Sequence, residues 1–214
     1  MKYYILMADI INSREKNAQL LMEQFKDVIS KVNILQNKNL CSPLTITLGD
    51  EFQGVVKDLE NCIETIFLIE ESILESSYDI KLRYVLNYGE IETEINSNIA
   101  HAMLGSGLTN TRKQLNLLKS KNFRFMILLD DKRIRLQERL NKSFVIYQSF
   151  IDSWKLKDYK IASEFLENKD YKIVAQKVNL DKSTAWRRKI SLNINEYFTI
   201  KNLIQDLTQY SYDN

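Results

Sequence analysis

The sequence predicts an α+β fold followed by an all-helical segment. Over the first 130 residues, short apolar runs of strand length alternate with longer stretches in which apolar residues recur at helical spacing. After residue 155, short helical patterns separated by turn residues replace the strand-length runs. We therefore expect two domains, an α+β domain over 1–150 and a helical domain over 151–214.

The first strand and the first helix follow from the residues around Asp9. Residues 3–10, YYILMADI, are almost wholly apolar, which is typical of a strand buried on both faces of a sheet, and Asp9 is the one charge among them. Asn12 followed three residues later by Glu15 matches a helix N-cap, and the apolar spacing after it predicts a helix over about 14–35. Asp9 should therefore lie at the end of a central strand.

Two consecutive acids lie at the tip of a predicted hairpin. The runs LTITL (44–48) and FQGVV (52–56) have the residue types and alternation of strands. Gly49, Asp50 and Glu51 separate them, which is a length suited to a hairpin turn.

The order of elements predicts which acids meet. Apolar residues at helical spacing predict a helix over 59–74, and residues 80–95 alternate as a strand pair. The order is then βαββαβ, the ferredoxin-like arrangement, in which the strands are ordered 4-1-3-2 across the sheet. Because the first strand ends at the edge where the hairpin turns, we expect Asp9 and Asp50 to meet there.

Three further elements complete the α+β part. GSGLTNTRKQLNLLKSK (105–121) predicts a helix opened by Gly-Ser-Gly, and FRFMILL (123–129) predicts another strand. A charged helix over roughly 131–152 leads out of the domain.

Composition excludes several classes of function. At 214 residues, with 44% hydrophobic and 27% charged residues, the chain has the composition of a globular protein. It has no apolar run near the roughly 18 residues that a membrane helix needs, so we expect a cytoplasmic protein without a membrane partner. One histidine and two cysteines are too few for a multi-His or Cys-rich zinc site. Any metal should be bound mainly by oxygen, which favours Mg²⁺ or Mn²⁺.

The acids at the predicted sheet edge suggest a site for a metal-bound nucleotide. The carboxylates of Asp9, Asp50 and Glu51 could hold a divalent cation. Backbone N–H groups at the Asn12–Ser13 turn, before the helix, could bind a phosphate. The alternative is that Asp9 only caps a turn and that the two hairpin acids only make its tip polar.

The C-terminal part contains a second candidate site. In YKIVAQKVNLDKSTAWRRKI (171–190), two short helices are predicted on either side of a tight turn, where Asn179 can adopt a left-handed conformation. Asp181 or Ser183 can cap the second helix. This is the pattern of a helix-turn-helix, and the alternative is a plain helical hairpin that packs on the first domain or on a second subunit. The residues expected to face double-stranded DNA are Lys182, Ser183, Thr184, Arg187 and Arg188.

Several of these motifs resemble those of known families. ADI after an apolar strand and TLGDEFQGVV on a hairpin resemble motifs of class III nucleotidyl cyclases and GGDEF diguanylate cyclases. LRYVLNYGEI followed by MLGSGLTNTRKQL resembles the later strand and helix of the cyclases. With TITLGDEFQG, YGEIETEIN and the terminal helix-turn-helix, essentially the whole chain resembles the SatD family.

The cyclase resemblance implies roles for individual residues. It implies metal ligation by Asp9, Asp50 and the main-chain carbonyl of Ile10. A cyclase-like palm site also needs a positive group on the leaving phosphate, for which Arg83, Arg112 and Lys113 are the available cations. Arg83 could equally be a solvated residue on a strand face.

In the late helix the sequence departs from the cyclase pattern. The positions of the cyclase Asn and Arg are occupied by Thr109 and Lys113, with Asn110 and Arg112 as neighbours. We therefore name Lys113 and Arg112 as the catalytic candidates. Cyclase-like sites lie between subunits in many cases, so a homodimer is expected.

Two functions follow from these motifs. The first is a domain that binds a metal and a nucleoside triphosphate or other nucleotide, fused to a helix-turn-helix and acting as a DNA-binding or signalling regulator. The alternative is an active Mg²⁺- or Mn²⁺-dependent nucleotidyl cyclase or nucleotidyltransferase.

Overall fold

A mixed five-stranded sheet forms the centre of the protein in the computed structural model, which describes residues 1–209. The strands are β1 (Lys2–Ile10), β2 (Leu40–Ile46), β3 (Glu51–Val56), β4 (Leu82–Glu90) and β5 (Phe125–Leu128). Their order across the sheet is β2-β3-β1-β4-β5, and β5 is parallel to β4 whereas the other pairs are antiparallel. The predicted order of the first four strands and the α+β class are confirmed.

Eight α-helices surround the sheet within the described residues. They are α1 (Ala18–Gln36), α2 (Leu59–Glu75), α3 (Ser106–Leu118), α4 (Ile134–Ile151), α5 (Tyr159–Glu167), α6 (Tyr171–Lys177), α7 (Lys182–Ser191) and α8 (Ile194–Gln209). None of the helices in residues 1–209 is both long enough and apolar enough to cross a membrane.

The first helix begins later than the sequence predicted. Asn12 is in the left-handed conformation, with φ 56°, and precedes a single 3-10 turn over Ser13–Glu15 without capping it through its side chain. The N-cap of α1 is Asn17, whose side chain accepts a hydrogen bond from the backbone N–H of Leu20. The capping role predicted for Asn12 was wrong because a second Asn, five residues on, supplies the side-chain acceptor at the true helix start.

The predicted strand pair over 80–95 is one strand followed by a loop. After β4, residues 91–105 cross the sheet and bind the polar side chains of the hairpin strands. Ser42 Oγ donates to the Asn96 carbonyl at 2.6 Å, and Gln53 Nε2 donates to the Ala100 carbonyl at 2.9 Å. Because hairpin side chains satisfy these backbone groups, the loop needs no strand partner.

The two faces of the sheet carry separate apolar cores. Alternate residues of β1 explain this, since Leu6, Ala8 and Ile10 face α1 and α2, whereas Ile5 and Met7 face α3 and the 91–105 loop. Asp9 is in the second set by alternation. Its side chain is therefore on the α3 face of the sheet.

Helix α3 crosses over the sheet from β4 to the parallel strand β5. Its first turn lies directly on the end of β4, where a Cβ added to Gly107 would be 2.6 Å from the carbonyl carbon of Gly89. Asn87 Nδ2 donates to the Gly107 carbonyl at 3.1 Å and to Thr111 Oγ1 at 3.0 Å. The second glycine of the Gly-Ser-Gly opening thus permits the close approach of helix and strand.

We expect Gly107→Ala to lower the free energy of unfolding by about 1 to 3 kcal/mol, because backbone atoms on β4 cannot move aside as a side chain could. Chemical denaturation of this variant and of Ser106→Ala measures the effect. Ser106 is exposed one residue earlier, so its substitution should leave stability nearly unchanged. Equal stability of the two variants would contradict the close approach.

The C-terminal helices pack against the α1–α2 side of the sheet and extend its core. The ring of Tyr197 on α8 packs at a tilt against Tyr147 of α4, with ring centroids 5.6 Å apart, and against Trp154, at 5.2 Å. Trp154 Nε1 donates to the Leu192 carbonyl at 2.8 Å. The predicted division into domains at residue 150 stays a prediction, and it falls one residue before the end of α4.

Helices α6 and α7 are joined by a short turn with the predicted geometry. Asn179 is left-handed, with φ 54°, and Asp181 caps α7 by accepting a hydrogen bond from the Thr184 N–H at 2.8 Å. Ala175 of α6 and Ala185 of α7 are both buried.

Candidate functional site

Two buried carboxylates lie side by side at the end of the central strands. Asp9 of β1 is the register partner of Glu51 of β3, and both side chains are on the α3 face of the sheet. Asp9 is 2% exposed and Glu51 is 8% exposed. Two acids so close and so buried require positive partners nearby.

Three cations supply that charge. Arg83, the register partner of Asp9 on β4, places Nη1 3.3 Å from Asp9 Oδ2. From α3, Arg112 Nη1 is 2.9 Å from Glu51 Oε2. Lys119 Nζ, just after α3, is 3.2 Å from Asp9 Oδ2 and 3.6 Å from Glu51 Oε1. We refer to Asp9, Glu51, Arg83, Arg112 and Lys119 as the charged cluster.

The two acids of the charged cluster are buried, whereas two of its three cations are partly exposed to solvent. Burial raises the pKa of Asp9, and the adjacent Lys119 and Arg83 offset only part of this effect. The side chains of Arg112 and Lys119 are 38% and 43% exposed. Three cations and two acids give the cluster a formal excess of one positive charge, so an anion from solvent could contact Arg112 and Lys119.

Asp50 lies at the same sheet edge but outside the charged cluster. Its backbone carbonyl accepts from the Ile10 N–H at 2.9 Å, which places the main chains of the two predicted ligands together. Its carboxylate accepts a hydrogen bond from Ser13 Oγ at 2.6 Å. Sequence reasoning thus located the correct edge, whereas the acid directly beside Asp9 is Glu51.

The chain matches the model of one known protein family over almost its whole length. The family model of SatD matches residues 3–208. The chain belongs to the SatD family. None of the curated proteins matches the sequence.

Solved structures of cyclases are similar to this SatD-family protein in fold. A bacterial light-regulated adenylyl cyclase has 13% identity and a TM-score of 0.47, covering 64% of this chain and 80% of its own. The guanylyl cyclase domain of the RhoGC fusion protein from Blastocladiella emersonii has 15% identity and a TM-score of 0.38, covering 54% and 77%. The guanylyl cyclase Cya2 has 11% identity and a TM-score of 0.39, covering 55% and 70%.

The late helix places one catalytic candidate in the cluster. Arg112 contacts Glu51, whereas Lys113, one residue on and rotated by about 100° around the helix, is exposed. Thr109, which the sequence resemblance assigned to the position of the cyclase Asn, is also exposed, and its hydroxyl donates to the Gly105 carbonyl.

Lys119 is the member of the charged cluster that sequence reasoning missed. Its position gives the signal that could have identified it, because it follows Arg112 by seven residues. Seven residues make about two helical turns, so both side chains are on one face of α3 or its extension. That face points toward the ends of β1 and β3.

The chemistry of the donor set fits a hard divalent cation. In residues 1–209 no group of three or more acidic, His or Cys side chains is close enough to hold a metal ion. Asp9 and Glu51 nevertheless present two carboxylates that share the single ammonium of Lys119. Oxygen donors with this charge are those that Mg²⁺ and Mn²⁺ prefer.

Three of the five residues predicted to face DNA are exposed, and the other two are not. Lys182, Ser183 and Arg187 are exposed on α7. Thr184 is half-buried, and the guanidinium of Arg188 makes an ion pair with the carboxylate of Asp158, a buried residue of the same chain. Arg188 is therefore engaged within the protein.

Proposed function

We propose that this SatD-family protein binds a nucleoside triphosphate together with Mg²⁺ or Mn²⁺ at the charged cluster. The observation that supports it is the convergence of charged groups at one end of the central strands. Two buried carboxylates come from β1 and β3, and the three cations come from β4, from α3 and from the residue after α3. Carboxylates suit the metal and guanidinium groups suit the phosphates, so the cluster has partners for both parts of a metal–nucleotide complex.

Each group would have a distinct task in such a complex. Asp9 and Glu51, with Asp50 and the Ile10 carbonyl at the same edge, would hold the metal, which would neutralise charge on the phosphate oxygens. Arg83 and Arg112 would hydrogen-bond to those oxygens. The backbone N–H groups of the Asn12–Ser13 turn would add the predicted phosphate contact, next to the Ser13 hydroxyl, which donates a hydrogen bond to the Asp50 carboxylate.

Removing one phosphate partner should weaken nucleotide binding without unfolding the protein. We expect Arg112→Gln to reduce the affinity for a triphosphate by about ten-fold or more, because a charge-assisted hydrogen bond is lost. Titration calorimetry with ATP, GTP, CTP and UTP in Mg²⁺ measures this, and Arg139→Gln is the matched control because Arg139 is exposed on α4. Equal affinities of the two variants would refute the role of Arg112.

Catalysis is a second candidate function, favoured by the contact of Arg112 with Glu51 inside the cluster. A cyclase or nucleotidyltransferase would release pyrophosphate when each triphosphate is incubated with Mn²⁺, and mass spectrometry would identify the product. A product that is absent with the Asp9→Ala/Asp50→Ala variant would make the protein an enzyme. Intact triphosphates would leave nucleotide sensing as its function.

We also propose that α6 and α7 bind double-stranded DNA as a helix-turn-helix. The left-handed Asn179, the buried pair Ala175 and Ala185, and the exposed Arg187 support this proposal. Under this proposal, nucleotide binding would regulate DNA binding.

The expected homodimer stays a prediction, and sedimentation equilibrium measures it.

Gel shifts with genomic fragments at two salt concentrations test the DNA proposal. Arg187→Ala should weaken binding and reduce the salt slope by about 1, as expected for the loss of one phosphate contact. Lys142→Ala on α4 is the control, because Lys142 is exposed on a different helix. No shift at low salt would reject the proposal.

A further inference from the structure

Lys119 bridges the two carboxylates of the charged cluster. Among the described residues, it is the cation that contacts both Asp9 and Glu51, at 3.2 and 3.6 Å. Arg83 contacts Asp9 and Arg112 contacts Glu51. The ammonium group of Lys119 is thus near both acids, where a divalent cation held by them would also need to be.

The two cations that contact Asp9 differ in how easily their side chains can move into solvent. Arg83 is on β4, an interior strand of the sheet, and its side chain is 14% exposed. Lys119 lies at the C-cap of α3, its side chain is 43% exposed, and four flexible methylenes carry its charge. It can therefore move toward solvent without a change in the backbone.

We propose that Lys119 is a tethered cation that neutralises Asp9 and Glu51 in the absence of metal and transfers to the nucleotide phosphates when a divalent ion enters. This inference rests on the proposed function and assigns a regulatory step to the same site. Metal alone must displace the ammonium, which then has no anionic partner in the site. Metal with a triphosphate supplies that partner, so the two ligands should bind cooperatively.

Mn²⁺ binding without nucleotide tests the inference. We compare the full-length protein with Lys119→Met, Lys119→Arg and Lys121→Met, using calorimetry and the electron paramagnetic resonance signal of free Mn²⁺. Lys119→Met should bind Mn²⁺ about ten-fold more tightly than the unmodified protein, because no ammonium competes for the carboxylates. Lys119→Arg keeps the charge and should bind near the unmodified value, and Lys121→Met changes an exposed lysine two residues on.

A second titration separates this inference from the proposed function. Adding ATP or GTP should tighten Mn²⁺ binding to the unmodified protein by a larger factor than to Lys119→Met, which lacks the group that moves. If Mn²⁺ binds the unmodified protein and Lys119→Met equally, the tethered-cation role is wrong while the metal–nucleotide site stands. If neither protein binds Mn²⁺ with or without nucleotide, the proposed function fails as well. Should Lys119→Met not fold, Lys119→Gln replaces it in both titrations.

Discussion

Replacing Arg124 with methionine should lower the free energy of unfolding by about 3 to 5 kcal/mol, the cost of breaking a buried ion pair from one side. Arg124 is 4% exposed. Its guanidinium contacts Glu70 Oε1 at 2.5 Å and Asp152 Oδ1 at 2.8 Å, and its Nε donates to the Leu82 carbonyl at 2.8 Å. The side chain of Arg124, the residue just before β5, thus contacts three other elements: α2, β4 and the end of α4.

The charge state of Arg124 follows from the same contacts. Burial lowers its pKa, but the carboxylates of Glu70 and Asp152 outweigh burial and raise the pKa above its usual value. The guanidinium therefore stays charged, and methionine would leave the carboxylate of Glu70, whose side chain is 11% exposed, without this partner. Urea denaturation followed by circular dichroism measures the loss, with Arg139→Met on the exposed face of α4 as the control. A loss below about 1 kcal/mol, the value typical of an exposed pair, would contradict the account.

Asp9→Asn should abolish metal-dependent nucleotide binding and yet make the protein more stable at neutral pH. Asparagine retains the shape of the side chain and one acceptor oxygen but cannot supply the charge that a divalent cation requires. Burial raises the pKa of Asp9, and the attraction of Lys119 and Arg83 does not fully offset it. The charged form of Asp9 is therefore less favourable in the folded protein than in the unfolded chain.

The pH dependence of this effect has a definite sign. Because the folded pKa of Asp9 is raised, its stabilising contribution is present below the unfolded pKa and is lost as pH rises through the folded pKa. The advantage of Asp9→Asn should therefore be largest at neutral pH and should disappear in acid, near and below the usual Asp pKa of about 4. Melting temperatures of both proteins across this range test it. The difference in melting temperature between Asp9→Asn and the unmodified protein is the quantity to compare. If this difference favours Asp9→Asn less at neutral pH than in acid, the raised pKa of Asp9 is wrong.

The sheet order was predictable because the order of its elements was clear from periodicity. The identity of the acid opposite Asp9 was not, since Asp50 and Glu51 are adjacent and neighbouring strand residues point to opposite faces. A shift of one residue in the strand register would place Asp50 instead of Glu51 opposite Asp9. The hydrophobic pattern does not determine the register to one residue at a hairpin tip. The structure pairs Asp9 with Glu51 and gives Asp50 to Ser13.

The positions of Arg112 on α3 and of Lys119 at its C-cap required the tertiary structure for a different reason. Arg112 and Lys119 reach the cluster only because α3 crosses the face of the sheet from the end of β4 toward the end of β1. That path depends on the contact of Gly107 with Gly89 and on the parallel pairing of β5 with β4. Both involve residues that are distant in sequence. The helix could therefore be predicted from its pattern, but the direction in which it crosses the sheet above Asp9 and Glu51 could not.

The most direct test of the metal–nucleotide site is a crystal structure with Mn²⁺ and a triphosphate analogue that resists hydrolysis, with anomalous diffraction used to locate the metal. We predict an anomalous peak at the carboxylate of Asp9, shared with Glu51 or Asp50, and phosphate oxygens within hydrogen-bond distance of Arg83 and Arg112. Mn²⁺ and nucleotide bound elsewhere, with Lys119 still bridging Asp9 and Glu51, would contradict the account.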